Sequence, residues 1–218
     1  MKNLSKILII SLILSLTLST AVFANDYDFE ILDESEINGP SNWAKPEIEA
    51  ARKAGLLTEN TDNHFKEDIT RSQFAELVVN MVEKAIGKEI SPAPASTFTD
   101  TSETSILKAY SANIVSGVSK TEFAPKNYIT REQIATMLYR AITYIEKEKG
   151  KEYTTKDDSI ESYTDKGSVS SYAKQGVGIL ANNKIMSGTS ATTLSPKSSA
   201  TIEQSVLLVY RLYNKVSQ

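Results

Sequence analysis

One five-residue pattern occurs three times in the chain: ITRSQ at 69–73, ITREQ at 129–133 and ATIEQ at 200–204. Each copy contains a threonine followed three residues later by a glutamine, which is the spacing of a capping box. In that motif the threonine hydroxyl accepts from an early backbone N–H, and the glutamine side chain reaches back to the threonine backbone. The pattern therefore predicts that a helix begins after Thr70, after Thr130 and after Thr201.

Apolar residues follow each copy at the spacing of a helix with one buried face. They are Phe74, Leu77, Val78, Met81, Val82 and Ala85 in the first copy, Ile134, Met137, Leu138, Ala141, Ile142 and Ile145 in the second, and Val206, Leu208, Val209, Leu212 and Tyr213 in the third. We therefore expect three long amphipathic helices.

A shorter helix is predicted before each long one. Residues 43–57 (WAKPEIEAARKAGLL) align without a gap on residues 172–186 (YAKQGVGILANNKIM), and residues 105–115 (SILKAYSANIV) are a shorter version. The repeated unit is thus a short helix, a loop and a long capped helix.

We place the three units at 41–90, 97–150 and 162–216. One helix pair cannot bury both of its apolar faces, so neighbouring units must share a core. The prediction is an all-α fold in which three helix-loop-helix repeats form a pseudo-three-fold bundle, with three long central helices and shorter peripheral helices.

The first 24 residues have the pattern of a secretory signal peptide. Two lysines precede an apolar run over 7–23, and Val22 and Ala24 place small residues before a predicted cut at Asn25. An uncleaved membrane anchor is the alternative, because the run is close to the length that spans a bilayer. The serines and threonines in the run favour cleavage, after which no membrane span is expected. Residues 25–40 form an acidic segment with little periodicity.

The composition excludes several classes of function. The chain has no cysteine, a single histidine (His64) and a formal net charge of -3. Thiol chemistry, a Ser-His-Asp arrangement and a zinc site therefore lack supporting residues. Acidic residues at 25–30 and 61–68 do not have the ordered spacing of a calcium loop. A mildly acidic chain is also a poor candidate for nucleic acid. A pair of facing carboxylates, as in a wall-acting glycoside hydrolase, is not excluded by the sequence, but no pattern points to one. We predict no enzyme, no catalytic residue, no metal, no cofactor and no nucleic-acid partner.

Arg71 and Arg131 stand directly after the predicted N-caps. A cation at that position opposes the positive end of the helix dipole, so its occurrence in two copies indicates another role. One interpretation is an anion site, in which the guanidinium and the free N–H groups of the helix start bind a carboxylate or phosphate. The other is a salt bridge to an acidic residue of a neighbouring unit. The third copy has Ile202 at this position.

Trp43 and Tyr172 occupy matching positions at the start of two short helices. We favour burial in the core for most of their area. The alternative is a stacking surface for a sugar ring, because both side chains combine apolar area with a polar group. Gly117 and Gly188 follow the short helices, where a glycine commonly ends a helix. Close approach of a ligand is compatible with that role.

The repeated segments resemble a triplet of S-layer homology domains. The resemblance is strongest over 98–142, and with WAKPEIEAARKAGLL and ITRSQ in the first unit and ATIEQ in the third it covers nearly all of 41–215. It implies a three-fold pseudo-symmetric bundle. It also implies a non-catalytic, secreted protein of the cell wall or S-layer that binds secondary cell-wall polysaccharide.

The resemblance further implies roles for individual residues. The family's ligand is often a pyruvylated sugar, whose ketal carboxylate pairs with the motif arginine; that role carries over to Arg71 and Arg131. Ile202 departs from the pattern and puts a third equivalent site in doubt.

The remaining site residues are implied by the grooves that the family forms between adjacent units. Gly117 and Gly188 match a loop glycine that lets the glycan approach the backbone, and Lys126 or Lys197 would add positive charge. Trp43 and Tyr172 are expected to shield the bound anion. A further candidate partner is another surface protein. The competing hypothesis is an interaction or assembly module without a glycan site, in which the arginines form salt bridges between units.

Overall fold

The computed structural model describes residues 38–218. The predicted signal peptide and almost all of the predicted acidic segment lie outside the described residues. Within the described part of the chain, no helix combines the length and the apolar character needed to cross a membrane.

The described residues form helices and loops, and no β-strand occurs among them. The α-helices are α1 (Lys45–Lys53), α2 (Arg71–Ile86), α3 (Thr104–Ser111), α4 (Arg131–Lys149), α5 (Lys174–Asn182) and α6 (Ile202–Val216). Two 3-10 turns, Ala95–Thr97 and Lys166–Ser168, lie in the connections. The prediction of an all-α fold with short and long helices in alternation is confirmed.

Each long helix begins at its capping box. The N–H groups of Thr70, Thr130 and Thr201 donate to Oε1 of the glutamine three residues on, at 2.9, 3.0 and 3.4 Å. At the other end, α2 and α4 stop at Gly87 and Gly150, which adopt the left-handed backbone conformation that glycine reaches without strain.

The helices pack in a cyclic order. Each long helix contacts the other two, and each short helix packs on the long helix of a different unit: α3 on α2, α5 on α4 and α1 on α6. The first unit therefore closes against the last, and the units share one core. This contact order is compatible with the predicted pseudo-three-fold bundle, whose symmetry stays a prediction.

Backbone hydrogen bonds at the start of each long helix tie one unit to the next. The first two N–H groups of α2, from Arg71 and Ser72, donate to the carbonyls of Asn127 and Pro125 in the loop before α4, at 2.9 and 3.0 Å. The equivalent pairs are Arg131 to Ser198 and Glu132 to Pro196, both at 3.0 Å, and Ile202 to Glu67 and Glu203 to Phe65, both at 2.9 Å. An isolated helix leaves these donors without partners, so the bonds complete the helix starts and hold the loops in place.

Candidate functional site

Two open grooves contain most of the residues that the sequence predicted for a site. Groove 1 has a volume of about 380 Å³, and its lining includes Arg71, Ser116, Gly117, Gln133, Met137, Arg140 and Tyr172. Groove 2 has a volume of about 220 Å³, and its lining includes Arg131, Ser187, Gly188, Gln204, Leu208, Arg211 and Trp43. Position for position, the two linings correspond.

Each groove combines residues from all three predicted units. Groove 1 takes Arg71 from the first unit, its loop and α4 from the second, and Tyr172 from the third. Groove 2 takes Arg131 from the second unit, its loop and α6 from the third, and Trp43 from the first. The grooves therefore depend on the cyclic packing of the units.

The two motif arginines are buried and hold the groove loops. Arg71 is 8% exposed and donates from Nε to the Phe123 carbonyl at 3.0 Å and from Nη2 to the Ser116 carbonyl at 3.3 Å. Its guanidinium also lies 4.5 Å from the centre of the Phe123 ring. The loop of residues 116–123 is thus fastened at both ends by one side chain.

Arg131 makes the same contacts in groove 2. It is 6% exposed and donates from Nε to the Leu194 carbonyl at 2.9 Å and from Nη2 to the Ser187 carbonyl at 2.7 Å. Burial lowers the pKa of both the Arg71 and the Arg131 guanidinium, but arginine remains charged in proteins. The motif arginine therefore gives each groove a positive charge whose position is fixed by the loop.

These contacts correct two expectations about the arginines. The ion pairs within residues 38–218 include none with Arg71 or Arg131, so the alternative interpretation of these arginines as salt bridges to acidic residues is not supported there. The helix starts also have no free N–H groups for an anion. In α2 the loop carbonyls take the first two donors, and the side chain and carbonyl of Thr70 take the next two. Positive charge at the grooves therefore comes from side chains.

Two aspartates that the sequence analysis did not assign to the site hold the other side of the same loops. Asp100 accepts from the N–H groups of Phe123 and Ala124 at 2.9 and 2.7 Å, and those bonds, from Phe123 above all, lower its pKa. Asp165 accepts equivalently from Leu194 and Ser195. The repeated FTD at 98–100 and YTD at 163–165 were the signal that could have identified them.

The groove glycines have a different role from the predicted one. Helices α3 and α5 end well before them, and the left-handed residues after those helices are Asn113 and Lys184. A Cβ on Gly117 would lie 2.4 Å from the Ser119 carbonyl oxygen, and one on Gly188 would lie 2.4 Å from that of Thr193. Helix termination by these glycines was therefore wrong; a tight loop that folds back on itself requires them.

The core interpretation of the two aromatic residues is also wrong. Trp43 is 59% exposed and Tyr172 is 56% exposed. The Tyr172 hydroxyl donates to Oε1 of Glu132 at 3.0 Å, which fixes the ring beside groove 1. The two side chains therefore present apolar area at the groove edges, and the stacking interpretation remains the one compatible with their position.

Lys126, which the resemblance assigned to a groove, lies outside both grooves. Lys126 is exposed and does not belong to the lining of either groove. Its counterpart Lys197 lies 2.5 Å from Oε1 of Glu132, the carboxylate that also binds Tyr172. The lysine charge near groove 1 thus comes from Lys197 and is paired with Glu132.

The third copy of the pattern does not repeat the arginine. Ile202 is buried, and the position that holds Arg140 in α4 and Arg211 in α6 is Asn80 in α2. The Asn80 side chain donates to the carbonyls of Gly55 and Leu56. The third junction therefore keeps the helix-start bonds but has neither of the two arginines found at the other junctions. Within residues 38–218 no group of three or more His, Asp or Glu side chains is placed to hold a metal.

A known protein family contains the same repeat. The model of the S-layer homology domain matches residues 97–135 and 162–201. Two S-layer homology repeats are thus found in this chain. They contain the loops of both grooves, the start of α4 with Arg131, and Tyr172. S-layer homology domains anchor proteins to the cell wall, so the matches indicate that this chain associates with the cell surface.

Two glucanases and a cell surface glycoprotein are similar to this chain in sequence. The chain is 30% identical over 221 residues to an endoglucanase of Bacillus sp. (strain KSM-635), covering 99% of this chain and 22% of that protein. It is 27% identical to exoglucanase XynX of Acetivibrio thermocellus over 80% of this chain and 16% of the relative. Cell surface glycoprotein 1 of Acetivibrio thermocellus is 32% identical over 47% of this chain and 5% of its own length. The chain spans less than a quarter of the length of each of these relatives. The similarity therefore does not assign the enzymatic activities of those proteins to this chain.

Replacing Arg131 with methionine should destabilise the fold. The stem keeps its packing, but the carbonyls of Ser187 and Leu194 lose their buried donors, and we expect a loss of about 1–3 kcal/mol in the free energy of unfolding. Urea unfolding followed by circular dichroism measures it. Arg52→Met is the matched control, because Arg52 makes exposed ion pairs whose loss should cost about 1 kcal/mol or less. Equal losses in the two variants would contradict the loop-holding role.

Replacing Gly117 with alanine should disturb the groove loop. The added Cβ would overlap two carbonyl oxygens of the loop, and we expect a cost of about 1–3 kcal/mol as the loop shifts. Thermal unfolding is the measurement, with Gly167→Ala as control because its Cβ would meet nothing within 4 Å. A Gly117→Ala protein as stable as the control would show that the loop tolerates a side chain there.

Proposed function

We propose that this chain attaches to the bacterial cell wall by binding secondary cell-wall polysaccharide in grooves 1 and 2. The first predicted unit acts as a third S-layer homology repeat and supplies Arg71 and Trp43. The protein is secreted and carries no catalytic centre of its own. The ligand carries negative charge, and a pyruvate ketal on a sugar is the anionic group that the family resemblance favours.

One observation carries the proposal: each groove joins a buried arginine, a tight backbone loop and an exposed aromatic side chain, all from different units. This combination suits sugar recognition, because a pyranose ring has an apolar face for an aromatic side chain and hydroxyl groups for backbone and polar partners. The guanidinium adds a partner for a carboxylate. The volume of groove 1, about 380 Å³, also lies within the usual range for small-ligand sites, whereas groove 2, at about 220 Å³, is smaller than that range.

Each motif arginine would serve the loop and the ligand together. Two of the five N–H donors of a guanidinium go to loop carbonyls, as the contacts of Arg71 and Arg131 show. Both arginines also line their grooves, where the remaining donors would be the ones to bind the ligand. A side chain already fixed by the loop loses little freedom on binding, which favours affinity.

The aromatic residues provide the cleanest test, because their exposure separates binding from folding. The double variant Trp43→Ala with Tyr172→Ala should lose most co-sedimentation with purified cell walls. Its helical circular dichroism should be unchanged. Tyr128→Ala is the matched control: Tyr128 is 62% exposed and lies outside both groove linings.

The outcome decides between the two hypotheses of function. Wall binding by the control together with loss in the double variant supports the grooves. Undiminished sedimentation of the double variant would refute the assignment of these aromatics. Failure of the unaltered protein to sediment with walls would favour the interaction module without a glycan site. Removal of wall pyruvyl groups then tests the ligand, since persistent binding would exclude the ketal.

A further inference from the structure

Grooves 1 and 2 differ in one charged contact although their linings correspond. Arg140 on α4 and Arg211 on α6 follow their capping boxes at the same spacing, and each lines its groove. The partners of these two arginines are different, and the difference changes what each groove offers to an anion.

Arg211 is neutralised by an acidic side chain from α1. Its Nε and Nη2 donate to Oε2 and Oε1 of Glu47 at 2.8 and 2.7 Å, which makes a bidentate ion pair. The hydrogen bonds to Glu47 raise the pKa of Arg211. An incoming carboxylate would therefore meet the Glu47 carboxylate together with the guanidinium.

Arg140 binds a neutral residue. Its Nη1 donates to the Ser116 hydroxyl at 3.0 Å, and the carbonyl of the same serine accepts from Arg71 at 3.3 Å. Two guanidinium groups thus converge on Ser116. The ion pairs found within residues 38–218 include none for Arg140, so its positive charge remains available.

The sequence explains the difference at one position. In the alignment of 43–57 with 172–186, Glu47 corresponds to Gly176. A Cβ at Gly176 would already lie 3.0 Å from the Ala135 carbonyl oxygen, so α5 approaches α4 too closely for a long acidic side chain. Groove 1 consequently has no counterpart of Glu47.

The other acidic residues beside the grooves do not reverse this contrast. Glu132, next to groove 1, is paired with Lys197 at 2.5 Å and accepts from Ser170. Glu203, its counterpart at the start of α6, accepts from the backbone and hydroxyl of Ser41 at 2.8 and 3.0 Å. Both carboxylates hold the start of a short helix.

We propose that groove 1 binds the carboxylate-bearing sugar through Arg71 and Arg140 together, whereas Glu47 occupies Arg211 and restricts groove 2 to an uncharged sugar. This inference rests on the proposed function and divides it between the two grooves. A carboxylate in groove 1 gains two charge-assisted partners. In groove 2 the resident carboxylate repels it, which discriminates against the charged ligand.

The test is a titration of the purified protein with a methyl glycoside that carries a pyruvate ketal, followed by calorimetry. The same glycoside without the ketal is the second probe. The unaltered protein should bind the ketal at a single site. Arg140→Gln should weaken that binding about tenfold or more, the usual worth of a hydrogen bond to a charged group. Arg211→Gln, the matched change in groove 2, should leave it nearly unchanged.

Glu47→Gln tests the same proposal through a gain of ketal binding in groove 2. This result does not depend on whether the Arg140→Gln variant folds. It frees Arg211 while keeping a side chain of the same size, and the stoichiometry for the ketal should rise from one to two. Two equivalent ketal sites in the unaltered protein, or equal weakening by Arg140→Gln and Arg211→Gln, would overturn the division while the wall-binding function stood. An unaltered protein that binds neither probe nor cell walls would overturn both.

Discussion

The structure depends on the exchange of backbone hydrogen bonds at the starts of the three long helices. Each helix gives its first two N–H groups to carbonyls in the loop of another unit, and the last helix gives its own to the first unit. A helix start needs partners for these donors, and a loop needs partners for its carbonyls. One set of bonds meets both needs, and it fixes the order in which the units pack.

The candidate grooves follow from that junction. Because the loop before each long helix is held by another unit, the backbone turn at Gly117 or Gly188 has a fixed position beside the long helix. The motif arginine strengthens the same junction from the side-chain direction, by binding loop carbonyls at both ends. The aspartates at 100 and 165 complete it from the other side. A groove built this way does not need a ligand to form, and under the proposed function this would lower the entropy lost on binding.

The sequence predicted the elements that have local signals. Capping boxes and apolar spacing placed the long helices, and the gapless match between 43–57 and 172–186 placed two of the short ones. Hydrogen bonds to the backbone could not be predicted from the sequence, because every residue has the same carbonyl group. The carbonyl partners of Arg71 and Arg131 therefore could not be derived from residue types. Exposure of Trp43 and Tyr172 was missed for a related reason, since an aromatic residue at a helix start has the same spacing whether it faces the core or a groove.

The two grooves also show how copies of a repeat can differ in their charged contacts while the framework is kept. The capping residues and the helix-start bonds occur in all three copies, whereas the arginines, the aromatic residues and Glu47 vary from one copy to the next. Ile202 leaves the third junction intact without a cation. The capping residues that hold the bundle therefore stay the same in all three copies, whereas the position after the cap, which holds a groove loop in two copies, changes in the third.

Amide hydrogen exchange, recorded with and without purified cell-wall polysaccharide, tests the central claim most directly. In the free protein the helix-start amides of Arg71, Arg131 and Ile202 should be protected, although first-turn amides of a helix usually exchange quickly. Addition of polysaccharide should then slow exchange in the loops at 116–118 and 187–189. Rapid exchange at the helix starts, or polysaccharide protection confined to other surfaces, would contradict the account.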